Sequence, residues 1–335
     1  MKKIVLTLGF VSCLLLCCSR SANDPMSEQS IFERTESPVY SSPIGLAGDP
    51  SILKSGDSLL LYYTAEEGIA LAYSLDNGQN WMRPTNASSD FIALEKRPDA
   101  WDNVLETVEV IKVNEEFKMY YTGYREGEGD TPQAENYEIG LATSRDGLRF
   151  ERVAESIEAP IIQRDVSNDN TLDRHAMTSP GVVYENGTYY MIYAGWNVAD
   201  NWTGPNAGIR ILGATSTDGI RWEKIAAPII SPSEVTYSPD INEATLMKSE
   251  DGWWYIVFST DRSIGIARSN SFSGSYQIYP EAIVDPLFEW DSEVTAPDGI
   301  IENGKFRIWY HGVKEPEYWP WLIGYAEADY PLNWE

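Results

Sequence analysis

One phrase recurs through this 335-residue chain and restricts its fold before any chemistry is considered. It reads GIALAYSLDNGQNW (68–81), EIGLATSRDGLRF (138–150) and IRILGATSTDGIRW (209–222). A Tyr-rich strand precedes each copy: LLLYYTA (59–65), FKMYYTG (117–123) and YYMIYAG (189–195). Weaker counterparts of that strand follow at WWYIVFST (253–260) and FRIWYHG (306–312). Five copies of a multi-stranded unit, with almost no helical periodicity between them, predict an all-β, five-bladed β-propeller. One blade cannot bury its own faces, so the five must stack into a single body even though the length alone would suggest two domains.

The blades are expected at about 45–85, 100–162, 172–232, 238–284 and 290–335. FERTESPVYSSP (32–43) looks like FERVAESIEAPI (150–161) and WEKIAAPIISP (222–232), the segments that follow two of the Asp-Gly turns. Those two should be outer strands of their blades, whereas the N-terminal copy has no blade before it. The last repeat, conversely, ends soon after WLIGYAEAD (321–329). Residues 31–42 are therefore expected to supply the outer strand of blade five, which would close the ring and cover an open sheet edge. The turns themselves, Ser74/Asp76/Gly78/Trp81, Ser144/Asp146/Gly147/Phe150 and Ser216/Asp218/Gly219/Trp222, resemble the Asp box of sialidases. Asp accepts backbone N–H bonds and Gly supplies a positive φ there, so the motif is read as hairpin chemistry and not as a catalytic site.

A formal charge of −26 disfavours nucleic acid and anionic membrane as partners, while neutral sugars remain compatible. The 20 Tyr and 12 Trp suit twisted antiparallel sheets. All three cysteines, Cys13, Cys17 and Cys18, fall in an apolar run that follows Lys2 and Lys3 and is too short to span a bilayer. The run ends in LLLCCSR and resembles a bacterial lipoprotein signal, with Cys18 the preferred lipidation site and Cys17 the alternative. Residues 1–18 are read as the signal, 19–30 as a flexible tether and 31–335 as the propeller. The expected location is the bacterial cell envelope, with membrane contact only through the lipid, and the expected state a monomer. No disulfide or cysteine–metal site is expected.

Aligning the blades on the last aromatic of their second strands (Tyr63, Tyr121, Tyr193, Phe258, Tyr310), with one residue inserted at SEDG in blade four, picks out one position on each innermost strand: Asp49, Thr107, Ser179, Glu243 and Ala296. Such positions converge on the mouth of the central channel. Only blades one and four carry a carboxylate there, the acid and base that glycoside hydrolysis requires.

GDPSI (48–52) and NEATL (242–246), set in a five-bladed propeller, resemble family 43 glycoside hydrolases and their relatives in families 32, 62 and 130. The resemblance implies that Asp49 is the general base and Glu243 the general acid of an inverting hydrolysis of plant or algal oligosaccharides. It also implies a third carboxylate in blade three that tunes the acid, where this chain has Ser179-Pro180. Glu106, one residue before the blade-two position, and Asp240 are the nearest substitutes. Strand alternation sends Glu106 to the wrong side unless the strand opens with a bulge. Arg174 and His175 lie just ahead of the blade-three strand and could meet the sugar. His311, in WYHG, is similar to the family's channel histidine, which helps hold a central ion or water; no cofactor is otherwise required. Trp101-Asp102 and Trp290-Asp291 look like equivalent rim elements, and Trp196, Trp202, Trp319 and Trp321 sit in long loops of blades three and five. Of these, Trp101 and Trp196 are taken as sugar platforms. Two other readings remain open: a glycan-binding surface lipoprotein without catalysis, and a phosphorylase, which would need a basic pocket.

Overall fold

A computed structural model describes residues 31–85, 89–127, 136–167, 170–197 and 208–334. The expected signal, tether and Cys18 lie outside these residues, as does Trp202. Five antiparallel sheets account for the described body. Blade one is built from Gly48–Ser55, Ser58–Ala65, Gly68–Ser74 and Ile92–Glu95; blade two from Val104–Val113, Glu116–Tyr124, Glu138–Ser144 and Glu151–Arg152. Blade three uses Ala176–Glu185, Thr188–Trp196, Ile209–Ser216 and Glu223–Lys224; blade four uses Ala244–Lys248, Trp254–Ser259, Ile264–Ser269 and Gln277–Ile278. Blade five consists of Glu293–Glu302, Lys305–Val313 and Trp321–Asp329. Glu33–Arg34 and Tyr40–Ser41 both pair antiparallel with Trp321–Asp329. The first strands neighbour one another in a cycle, that of blade five lying beside that of blade one. The molecule is a five-bladed β-propeller.

Each blade interface has its own apolar core, and aromatic rings bridge most of them. Tyr62 of blade one meets Phe150 of blade two edge-on at 5.6 Å, and Tyr120 of blade two meets Trp222 of blade three at 5.7 Å. Tyr255 of blade four meets Phe306 of blade five at 5.4 Å, and Trp309 of blade five meets Trp81 of blade one at 6.3 Å. The Ser-Asp-Gly turns take part as scaffolding. Ser144 Oγ accepts the Gly147 N–H at 3.0 Å and Asp146 accepts the Leu148 N–H at 2.8 Å, while Gly147 adopts φ +75°. From the preceding blade, the Tyr62 hydroxyl donates to the Gly147 carbonyl at 2.8 Å, and Tyr120 does the same to Gly219 at 3.1 Å. The turns punctuate the hairpins and staple neighbouring blades, which is why they recur.

A second repeated device lies behind the second strands. The hydroxyls of Tyr63, Tyr121 and Tyr193 donate to Asp90, Asp102 and Asp173 at 2.7, 2.8 and 3.0 Å. Tyr310 and Arg34 both meet the fully buried Asp291 in blade five. Asp102, also fully buried, is paired by Arg97 and Arg152. Blade four has Phe258 at this position and so no hydroxyl to donate. Trp101 and Trp290 belong to the same device, each lying flat on the aligned tyrosine, Tyr121 at 6.1 Å and Tyr310 at 6.2 Å. Gly123 and Gly312 make room for them: an added Cβ would stand 2.8 Å from Trp101 in the first case and 2.6 Å from Trp290 in the second.

Candidate active site

The innermost strands do not run straight into the mouth. In blades one, two, three and five the pairing with the second strand slips between Gly48 and Ser51, Glu106 and Val108, Thr178 and Gly181, and Thr295 and Asp298. The residue in the slip takes a left-handed conformation: Asp49 at φ 49°, Thr107 at 33°, Ser179 at 54° and Ala296 at 45°. Such backbone is costly for non-glycine residues and concentrates at functional sites. In blade four the regular ladder starts at Ala244, and Glu243 and Asn242 exchange backbone bonds with Ser259 at 2.8 and 3.0 Å. Asp49, Thr107, Ser179 and Ala296 are therefore structural equivalents, whereas Glu243, opposite Ser259, takes the place that Glu106 holds opposite Thr122 and Thr295 holds opposite His311, a correction of one residue to the sequence alignment. A bulge re-aims side chains, so Glu106, Thr178 and Thr295, each just before a left-handed residue, also line the mouth.

The result is a cavity of about 310 Å³, within the range of a small-ligand site. Asp49, Glu106, Glu243 and Glu293 give it four carboxylates, from blades one, two, four and five. Tyr137, Trp196, Tyr318 and Trp321 give it aromatic walls. Glu243 is the most constrained of the acids. Thr295 Oγ1 donates to its Oε2 at 2.6 Å and Ser259 Oγ at 3.4 Å. Burial, and then the negative charge of Asp49, push its carboxyl up to about 7, against the Thr295 hydrogen bond and the His311 ring. Glu106 is pushed up to about 7 as well. Burial is the main cause, opposed by the Tyr124 hydrogen bond and Lys96 and reinforced by Asp49 and Glu243. Asp49 is buried, with its Oδ1 3.5 Å from His311 Nδ1. The His311 ring leans on Trp321 with centroids 4.5 Å apart, and neither of its ring nitrogens has a hydrogen-bond partner.

Beneath the mouth lies a smaller cavity of about 30 Å³, reached by Ser179, Glu109, Thr245 and Asp298. Asp298 accepts from Thr245 Oγ1 at 2.6 Å and from the Ile52 N–H, yet burial still raises it to about 6. Glu109 is pushed well above the carboxylate range by burial and by the charge of Asp298. The blade-three side of the site is lined by hydroxyls: Thr107 and Thr122 stand 2.5 Å apart, and both accept the Ser179 N–H at 3.1 Å. Ser179 Oγ itself has no hydrogen-bond partner.

Of the residues singled out from sequence, the mouth brings together Asp49, Glu243, Glu106, Trp196, His311 and Trp321. Trp101 requires a correction. It stacks on Tyr121 and donates its indole N–H to the Ser156 carbonyl at 3.1 Å, so it packs a blade and does not line the mouth. Arg174 and His175 are also absent from the described lining. Arg174 Nη1 donates to the Val166 carbonyl at 2.8 Å, and the His175 backbone N–H donates to the Trp196 carbonyl at 2.9 Å. The charge that bears most on Glu243 comes from Asp49, not Asp240. Thr295, Glu293, Tyr124, Tyr137 and Tyr318 went unread in the sequence. The usable signal for Thr295 was its place one residue before an aligned position. As for a central ion, among the described residues no three His, Cys, Asp or Glu side chains converge to hold one.

Neither a protein-family model nor a curated protein matches the chain. Solved structures do share its fold. A thermostable family-43 glycoside hydrolase is 18% identical over 88% of this chain and 97% of its own, with a TM-score of 0.64. An endo-arabinase from Bacteroides thetaiotaomicron is 13% identical over 88% and 98%, at 0.61. An N-acetylgalactosamine deacetylase from F. plautii, in complex with blood group B trisaccharide, is 14% identical over 90% and 96%, at 0.62. At these identities the likeness is one of fold.

Proposed function

We propose that the protein is a glycoside hydrolase that cleaves neutral plant or algal oligosaccharides with inversion. The observation that carries this reading is Glu243: a half-buried carboxyl held by Thr295, pushed up to about 7, and sharing an aromatic-walled mouth with Asp49. Asp49 takes a proton from water as the water oxygen bonds to the anomeric carbon. Glu243 gives its proton to the glycosidic oxygen as the bond from that carbon breaks, so one sugar leaves as an alcohol and the other as the inverted hemiacetal. Tyr137, Trp196, Tyr318 and Trp321 supply rings for the apolar faces of the sugar. The propeller neighbours, which include glycosidases and a trisaccharide complex, support a carbohydrate ligand.

Phosphorolysis fits poorly, because four carboxylates surround the place where phosphate would bind. Export with lipid attachment at Cys18, placing a monomeric propeller of residues 31–335 at the cell envelope, belongs to the same proposal and rests on the N-terminal sequence. The deciding experiment assays wild type, Asp49→Asn and Glu243→Gln on a panel of aryl-glycosides and oligosaccharides, with the anomer of the first product read by NMR. Turnover with inversion, reduced about 10²–10⁴-fold in each variant, is expected. Sugar binding by wild type without any turnover would favour the non-catalytic reading, which the Ser179 substitution motivates.

A further inference from the structure

The proposed acid–base step uses two of the four carboxylates in the mouth, and the Tyr124 hydroxyl holds a third, Glu106, at 2.7 Å. The fourth, Glu293, is half-buried and receives no hydrogen bond from the described residues. Arg262, whose charge favours ionised Glu293, instead donates its Nη2 to the Ser292 carbonyl at 2.5 Å and to Glu315 at 2.6 Å. Asn242 is a second unpartnered group of this mouth, for its buried Oδ1 accepts nothing among the described residues. Blade five sets the height of Glu293. Glu293 faces Val313 across the strand pair and Thr295 faces His311, and all four line the mouth. Further along the same strand, Asp298 belongs to the inner cavity. The strand thus runs from Glu293 at the rim, past Thr295 beside the acid, to the floor. Two residues of strand cover about 6.6 Å, so Glu293 stands roughly one sugar ring outward of the hydroxyl that holds Glu243.

We propose that Glu293 binds hydroxyls of the leaving sugar, the unit on the far side of the scissile bond from the carbon that water attacks. The inference rests on the glycosidase reading above and deepens it by giving the second sugar a place. A general acid has to reach the glycosidic oxygen, so the leaving sugar begins at Glu243. It cannot continue inward, because the cavity below is about 30 Å³, room for water and not for a sugar ring. It continues outward past the acid along blade five, where Glu293, Val313 and Tyr318 stand beside Asn242. An ionised carboxyl only accepts, and two neighbouring hydroxyls of a neutral sugar can each donate to one of its oxygens. Those bonds hold the glycosidic oxygen against Glu243, while Val313 and Tyr318 offer apolar surface to the ring. An aryl leaving group has no such hydroxyls, so Glu293 sets the preference for a sugar over an aryl group in this position.

The test compares wild type, Glu293→Gln and Glu293→Ala on two substrates of one sugar, the oligosaccharide that the panel shows to be cleaved and the matching nitrophenyl glycoside. The ratio of kcat/KM on the first to kcat/KM on the second should fall about 10–100-fold in Glu293→Ala, the loss expected for hydrogen bonds to a charged group. Glu293→Gln keeps one acceptor oxygen and should lie between. The ratio is internal to each protein, so a variant that folds in low yield still reports it. An unchanged ratio would overturn the proposal in either form. If both activities stay, Glu293 contacts no sugar; if both fall together, it serves the attacked sugar or the fold. Failure of the glycosidase reading looks different, since wild type itself would then cleave neither substrate. Calorimetry would still show whether Glu293→Ala weakens binding of the oligosaccharide more than that of the monosaccharide.

Discussion

Thr295 makes the shortest hydrogen bond to the proposed acid, and its effect opposes that of the Asp49 charge. Its hydroxyl donates to Glu243 Oε2 at 2.6 Å, a bond that favours the charged carboxylate. Thr295→Val keeps the shape and removes the donor, so Glu243 should hold its proton longer. The alkaline limb of kcat/KM should then shift upward, on the order of one pH unit, as measured on any substrate that turns over. A downward shift would mean that Thr295 serves some other partner. Asp49 was readable in the sequence because counting back from a repeated aromatic needs only a constant register, and Glu243 came into view once one residue was inserted at SEDG in blade four. Thr295 was not, and Glu106 was read only on condition of a bulge, because period-2 alternation sends the neighbour of an inward-facing residue outward. The bulge suspends that rule at the one place where it matters, and no residue type announces it in all four bulged blades: proline follows the aligned position at Pro50, Pro180 and Pro297, whereas Val108 stands there in blade two.

At the scale of the strand and blade, the repeated Tyr–Asp contact explains both a success and an error of sequence reading. The strands were legible because tyrosines and β-branched residues recur where inter-blade cores require them. The Trp-Asp pairs were legible as equivalents, and their job was misjudged, since position along the chain does not say which side of the second strand they pack against. Asp102 shows what the pair does. It is fully buried and accepts from Arg97 at 2.6 Å, from Tyr121 at 2.8 Å and from Arg152. Asp102→Ala leaves the largely buried Arg152 without its counter-charge, and breaking a buried pair from one side costs about 3–5 kcal/mol. Urea unfolding should show that loss, with KM unchanged in the protein that remains folded. A change in KM without loss of stability would return the Trp101–Asp102 segment to the sugar-binding rim.

For the whole molecule, the ring brings carboxyls from separate blades into one narrow channel, and that has a consequence for stability that no single blade would show. Glu106 and Glu243 are raised to about 7, Asp298 to about 6, and Glu109 well above the usual range, all principally by burial. In the unfolded chain the same groups titrate at about 4, so between about pH 4 and 7 the folded protein binds more protons than the unfolded one. Stability must then fall as pH rises through this window. The contribution of these groups is complete below their unfolded values and is lost as pH passes their folded ones. The surface acids of the hairpin turns act in the other sense, but lower down: hydrogen bonds from Asn80 hold Asp76 at about 2, so its effect is spent before the channel groups titrate. The thermal midpoint should therefore decline from pH 5 to pH 8. Glu109→Gln, which removes an acid with no hydrogen-bond donor of its own in the inner cavity, should flatten that decline and raise the midpoint at pH 8. Self-repulsion of a chain with a net charge of −26 also grows with pH, and salt separates the two effects, because 0.5 M salt screens surface charge and leaves buried groups nearly untouched. A slope that persists in salt and weakens in Glu109→Gln locates the cost in the channel, whereas a flat profile in salt places it on the surface and refutes the channel account.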